Sequence, residues 1–285
     1  KTPSLSKGVL LYQDFHCTSF NNGAQGKVIH TLKNIYKVIV LPDCQVPYHD
    51  KRALSAVEKY MADERWDEYL NLGDFMDFDC ISKFNSEKLK NIETKRILKD
   101  YDVANEILDR HQAIIRKRSP NAKFTLLEGN HEYRIEAFVE KFPQFEGMVE
   151  VEKNLRLKER GFKWVRSWSK GQLHKIGHAY FTHGLYITTN HAKKMVDNFG
   201  VSIYYGHTHD VMASPKVLLG NDKTIEGHSM GCLCRYDQSY MKGSPSNWQQ
   251  AFGVFHFFPD GFYNMYITRI FKHRFAAPNG KIYQA

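Results

Sequence analysis

The chain is poor in several features, and each shortage excludes a class. Its 285 residues contain no apolar run near the roughly 18–20 residues that a membrane-crossing helix needs, which excludes an integral helical membrane protein. Five cysteines (Cys17, Cys44, Cys80, Cys232, Cys234) are too few, and odd in number, for a disulfide framework at this length. They are expected as reduced thiols in a cytoplasmic setting. Cys232 and Cys234 are too close together and too solitary for a structural zinc site, and are expected on one strand, facing the same way. The first residues lack the charged head and apolar stretch of a signal peptide, and they start at Lys1 rather than Met. No internal repeat and no low-complexity tract is present. With 42% hydrophobic and 25% charged residues, disordered, collagen-like and coiled-coil chains are excluded as well.

What the chain has in quantity is aromatic side chains, at 14%, and positive charge, with 40 Lys+Arg against 31 Asp+Glu and a net +9. The aromatics suit a β-rich core. Residues 1–35 are rich in Ser, Asn and Gly and are expected as an N-terminal extension or peripheral hairpin. Residues 36–285 are expected as one domain, with a basic insert at about 151–175.

In the first half, Tyr36–Leu41 (YKVIVL), Tyr69–Leu72 and Phe124–Leu127 are short β-branched or aromatic runs that predict buried strands. Between them, Lys51–Ala62 carries apolar residues at helical spacing, and Thr94–Lys117 predicts a long amphipathic helix stopped by Ser119-Pro120. Strand and helix in alternation predict parallel βαβ units. In the second half, Ile176–Thr182, Val201–Tyr205, Val211–Leu218 and Thr224–Met230 are predicted strands, with a helix over Thr188–Phe199. Phe252–Phe258 is predicted to pair with Phe262–Ile270 across a Pro-Asp-Gly turn. The class is mixed α/β with two packed sheets.

Five polar clusters fall where predicted strands end. They are Asp43-Cys44-Gln45, Gly73-Asp74-Phe75-Met76-Asp77, Gly129-Asn130-His131-Glu132, His183-Gly184 and Gly206-His207-Thr208-His209. Ligands in open α/β sheets gather beyond the carboxyl ends of strands, so these clusters can converge. Their oxygen and imidazole groups suit Mn, Fe or Zn. On extended backbone, Asp43 and Gln45 would share a face while Cys44 turns to the core, and His207 and His209 would pair in the same way.

In this order, D-x-Q, G-D-x-x-D, G-N-H-E, H-G and G-H-x-H resemble the calcineurin-like metallophosphoesterase superfamily, over roughly residues 36–218. The resemblance implies a four-layer αββα sandwich of two mixed sheets flanked by helices. It implies two divalent ions about 3.5–4 Å apart, Mn first among Fe, Zn and Mg, as used for in-line displacement at phosphorus. Asp74 would bridge them, Asp43, Gln45 and His209 would hold the first, and Asn130, His183 and His207 the second. His131 would act on the leaving oxygen as a catalytic acid. Gln45 stands where the family usually has histidine, so it either binds through its amide oxygen or lies behind the ligands. Asp77 is expected to brace its loop or orient a ligand, and Glu132 to be an acid in a helix's first turn. His178, His191, His228 and Arg235 are expected outside the site.

Residues 151–175 hold eight basic residues against Glu152 and Glu159, much of the whole surplus. Lys153, Arg156, Lys158, Arg160, Lys163, Arg166 and Lys170, with Trp164 and Trp168 among them, are candidates for tracking a nucleic-acid backbone and stacking on bases. Metal motifs and basic stretch together predict a phosphodiesterase acting on DNA, a nuclease similar to the Mre11/SbcD catalytic core, with DNA as partner and no membrane. The alternatives are a phosphomonoesterase acting on a phosphoprotein or nucleotide, and a non-catalytic nucleic-acid-binding module whose metal site has decayed at Gln45.

Overall fold

The computed structural model describes residues 35–285 except 86, 88, 220–222 and 238–245. The expected N-terminal extension therefore lies almost wholly outside the described residues.

The first βαβ unit begins with β1 (Tyr36–Leu41), followed by α1 (Lys51–Asp63) and β2 (Glu68–Asn71). Asp50 caps α1 by accepting from the Arg52 and Ala53 amides at 3.0 and 2.9 Å. The face of α1 carrying Leu54, Val57, Tyr60 and Met61 is buried. A long helix, α2 (Ile97–Arg118), leads to β3 (Lys123–Leu127), and α3 (Tyr133–Lys141) follows. Helix α2 ends where the sequence predicts, at Ser119, whose amide bonds back to Ile115.

Next come β4 (Phe162–Val165), β5 (His174–Ile176) and β6 (Ala179–Phe181), then α4 (His191–Phe199) and β7 (Ser202–Tyr205). The chain closes with β8 (Ala213–Leu218), β9 (Lys223–Ser229), β10 (Ala251–Phe257), β11 (Tyr263–Arg269), β12 (Arg274–Ala276) and β13 (Ile282–Gln284). The single strand predicted over Ile176–Thr182 is two, β5 and β6, because Gly177 turns at φ +53° and folds them into an antiparallel pair.

Two sheets result. The larger runs β11-β10-β1-β2-β3-β4, and the smaller runs β5-β6-β7-β9-β8. Strands β1 to β4 are mutually parallel, as are β6, β7 and β9, and antiparallel strands close the edges. The β10–β11 hairpin has the predicted pairing, with Ala251 opposite Arg269 and Phe257 opposite Tyr263. The expected basic insert supplies β4 to one sheet and the start of β5 to the other.

Alternation along the strands sets the layers. In the larger sheet Ile39, Leu41, Tyr69, Phe124 and Leu126 face α1 and α2, whereas Val38, Val40, Leu70 and Leu127 face the second sheet. Phe181, Tyr204, Met230, Phe255 and Phe257 complete that inner layer. Met195 on α4 packs on the outer face of the smaller sheet, against Ile203 and Tyr205. Helix, sheet, sheet, helix is the αββα sandwich. Among the described residues, no helix is long and apolar enough to cross a membrane.

Candidate metal centre

The parallel strands of both sheets end at one edge of the sandwich. Asp43 follows β1, Asp74 follows β2 and Asn130 follows β3; His183 follows β6, and His207 and His209 follow β7. The backbone there departs from the extended form assumed from the sequence. Asp43 (φ 37°), Gln45 (49°), Asp74 (45°), His207 (68°) and His209 (61°) all lie in the left-handed region. Each such residue costs on the order of 1–3 kcal/mol, and strain of this kind concentrates where function holds it. Two glycines make the close approach possible. A Cβ on Gly129 would collide with the Asp74 carboxylate, and one on Gly206 with that of Asp43.

Two overlapping sets of donor atoms form, each within 4.8 Å: Asp43, Asp74 and His209, and Asp74, His183 and His207. Asp74 belongs to both, the position the resemblance assigns to a bridge. Asn130 Oδ1 lies 2.9 Å from His183 Nε2, at the second set. Gln45 is buried beside the first set, with Nε2 at 3.3 Å from His209 Nε2 and Oε1 buried with no hydrogen-bond partner. The Gln45 amide nitrogen, not its oxygen, faces His209, so the fit to divalent ions rests on the carboxylate and imidazole groups of the two sets and on the unpaired, buried state of the Gln45 oxygen.

Burial raises the Asp74 carboxyl, but the imidazoles of His131 and His183 outweigh it and hold the group far below the usual carboxylate range. Burial opposes charge on His183 and His209 too. There the facing carboxylates win, Asp74 at His183 and Asp43 at His209, and push each up to about 9. His207 goes the other way, to about 3, through burial and the neighbouring His183. Without ions, protons on imidazole compensate the buried carboxylates; ions bound here would displace them.

Glu132 has a larger part than the first-turn acid expected. Its carboxylate accepts from the amides of Asp74 (2.9 Å), Met76 (2.9 Å) and Gly129 (2.8 Å), tying the loop after β2 to the loop after β3. Asp210 does the same on the other sheet, accepting from Thr208 and Ser229 hydroxyls and facing His191 Nε2 at 3.0 Å. Neither was legible as a brace, since each partner is set by tertiary folding. Asp77 lies 3.6 Å from His131 Nδ1 and 3.5 Å from the Arg134 guanidinium; burial pushes its carboxyl up to about 7. Arg134 Nη2 donates to His131 Nε2 at 2.8 Å. Burial holds His131 down to about 3.

The His178 ring lies tilted 4.8 Å from that of Phe262, His228 lies 2.9 Å from Glu226 Oε2, and Arg235 sits over the Tyr48 ring. Two aromatic side chains wall the centre instead. Trp168 lies 5.2 Å from the His207 ring and 5.9 Å from that of His183, and Trp248 lies 4.2 Å from His209.

The basic stretch does not stand as one free basic face, because part of it is paired or turned inward, and the expected DNA partner is corrected. Arg160 is buried, donates to the Leu155 carbonyl at 2.9 Å and pairs with Asp109, which Arg156 also meets. Arg166 is held by Glu128 at 2.8 Å and by Glu136. Lys153 donates to the Gly147 carbonyl, and Trp164 packs on the helical side of the larger sheet. Lys163 lines a cleft with Glu68 and Lys123, where β2 and β3 begin, the end of the sheet opposite Asp74. Lys153, Arg156, Lys158, Lys163 and Lys170 are all exposed. Trp168 spends its ring on the site histidines.

No protein family model matches the chain. Among curated proteins it is similar to the Gene 54 protein of Mycobacterium phage D29, 25% identical over 228 residues, covering 76% of this chain and 88% of that protein. The Gene 54 protein of Mycobacterium phage L5 is likewise 25% identical, over 232 residues. Among solved structures it is similar to Vacuolar Protein Sorting 29 from Cryptosporidium parvum, with TM-score 0.42 and 15% identity, covering 88% of this chain and 96% of that one. Vps29 from Entamoeba histolytica complexed with Zn²⁺ gives TM-score 0.41 and 12% identity, over 87% and 97%.

These structures are Vps29 chains. The expected likeness to an Mre11/SbcD-type nuclease, with the phosphodiester hydrolysis expected from it, is withdrawn. The expected preference for manganese gives way to a coarser statement, a cluster of Asp, His and nearby thiol groups able to hold a metal ion. Strand order, the two packed sheets and the placement of the polar clusters at one edge are those of a mixed α/β, two-sheet αββα sandwich, the architecture that the metallophosphoesterase resemblance implies.

Proposed function

We propose that the chain is a divalent-metal-binding module, which uses this fold to hold two ions at the common edge of its sheets and does not turn over phosphate esters. The observation that carries the reading is the pair of donor sets sharing Asp74. Asp43 and His209, with the Gln45 oxygen, would hold one ion; His183, His207 and Asn130 would hold the other. Bound there, the ions would supply positive charge that fixes the two sheets to each other and offers an open coordination position to an anionic group of a partner.

Two features favour holding over turnover. Arg134 donates to His131 Nε2, which leaves that nitrogen as an acceptor with no proton to give. Gln45 provides a neutral amide where the family's usual histidine would bind more strongly. A reducing, cytoplasmic setting suits the free thiols of Cys44, Cys232 and Cys234.

Metal analysis after loading with Zn²⁺ and desalting tests the reading. The natural sequence is expected to retain two more ions per chain than Asp74→Ala. A chain that retains no ion overturns the metal assignment. Sustained turnover of phosphate mono- or diesters that disappears in Asp74→Ala overturns the non-catalytic part.

A further inference from the structure

Cys232 and Cys234 do not lie on a strand. They follow β9 in a segment that makes isolated bridges, Cys232 to Gln250 and Cys234 to His49. Both side chains are fully buried. The spacing that looked too solitary for a metal gains its third member from a distant loop: both sulfur atoms and a ring nitrogen of His209 lie within 4.8 Å of one another. His209 is 4% exposed, its Nε2 faces Asp43 Oδ1 at 3.3 Å, and its Nδ1 is buried with no hydrogen-bond partner. One nitrogen of the ring is thus uncommitted.

We propose that Cys232, Cys234 and His209 form a thiophilic metal site on the buried side of the first centre, suited to Zn²⁺ and closed to Mn²⁺ or Mg²⁺. The backbone holds it in place. Cys232 N donates to the Gln249 carbonyl at 3.0 Å, Leu233 N to that of Asp43 at 3.1 Å, and Gln249 N to that of His209 at 2.7 Å. Gln250 Nε2 donates to the Cys234 carbonyl at 3.2 Å. These bonds fix the two cysteines and the histidine relative to one another through a shared frame.

A tetrahedral zinc ion bonds sulfur at about 2.3 Å, which puts its ligand atoms about 3.8 Å apart, so closure needs a movement of about 1 Å or less. Thiolate with imidazole selects zinc over hard cations. Binding converts two thiols to thiolates, M²⁺ + 2 RSH → M(SR)₂ + 2 H⁺, with no change of oxidation state. The site shares His209 with the centre proposed above but does not need Asp74, and the two therefore separate by mutation.

Anaerobic Co²⁺ titration followed by absorption spectroscopy is the test, on the full chain, Asp74→Asn, Cys44→Ser, and the double variant Cys232→Ser/Cys234→Ser. The full chain, Asp74→Asn and Cys44→Ser are expected to show a thiolate-to-cobalt charge-transfer band that Zn²⁺ abolishes. The double variant is expected to lack it while keeping the circular dichroism of the parent. If the double variant does not fold, each single serine variant is expected to weaken the band. Co²⁺ binding to the full chain without the band overturns the site, as does a band that survives the double substitution. A full chain that shows the band but binds no more Co²⁺ than Asp74→Asn would overturn the earlier reading and leave this one standing.

Discussion

Asp100 stands in the first turn of α2, buried, with Oδ2 lacking any hydrogen-bond partner. Burial first, and Asp79 second, push its carboxyl up from 3.8 to about 6, against the pull of Lys95. An acid whose folded value is raised binds its proton more tightly folded than unfolded. Its destabilising effect is therefore full above pH 6, shrinks as pH falls from about 6 to about 4, and vanishes below that. Asp100→Asn removes the charge without changing shape. The variant is expected to be more stable by about 1 kcal/mol at pH 7, after allowance for solvent screening, and unchanged at pH 4. Urea unfolding at the two pH values measures this. Equal effects at both would show that the carboxylate is not the cause. The same scale shows what was hidden in the sequence: an aspartate in a first helical turn reads as favourable to the helix dipole, and only its buried setting reverses the sign.

At the scale of elements, the inner layer between the sheets depends on a few aromatic residues. Phe255 on β10 is fully buried, with ring centroids 5.1 Å from Phe181 and 4.8 Å from Tyr204, both on the opposite sheet. Phe255→Ala is expected to cost about 3–5 kcal/mol, the transfer loss plus the cavity left, whereas Phe255→Leu should cost far less. Denaturant titration of both variants checks this, and a cost under about 1 kcal/mol for the alanine would mean the sheets close without it.

The strands themselves were legible because each is a short apolar run cut off by Gly, Pro or Asp, and the site was legible because its polar clusters sit at those cuts. The local backbone was not. Alternation of polar and apolar residues carries no sign of φ, so five site residues in left-handed conformation escaped it. Partners far apart in sequence escaped too: Glu132 with Asp74, and Cys232 with His209, which depend on how the loops are brought together. The basic stretch misled for a related reason. Charge counts along a chain do not show that Arg160 and Arg166 turn inward to Asp109 and Glu128.

Across the whole molecule, the proposed ions would act as a clamp between layers. Asp43, Asp74 and Asn130 come from the edge of the larger sheet, and His183, His207 and His209 from the edge of the smaller one. Each donor set draws on both sheets, so neither ion could remain bound if the sheets parted. Unfolding would then have to release the metal, and free ion at about 100 times its dissociation constant adds about 2.7 kcal/mol per site. For a domain of this size each kcal/mol is worth about 2–4 °C, so removing one such ion with a chelator should lower Tm by roughly 5–10 °C. The measurement is a pair of calorimetric scans, with Zn²⁺ and with excess chelator, on the natural sequence and on Asp74→Ala. Asp74→Ala should lose the part of the shift that belongs to the paired centre, and any remainder should vanish on further substitution of Cys232 and Cys234 by serine. If the natural sequence melts at the same temperature with and without chelator, the ions do not join the sheets, and the clustering of six donors at one edge needs another cause.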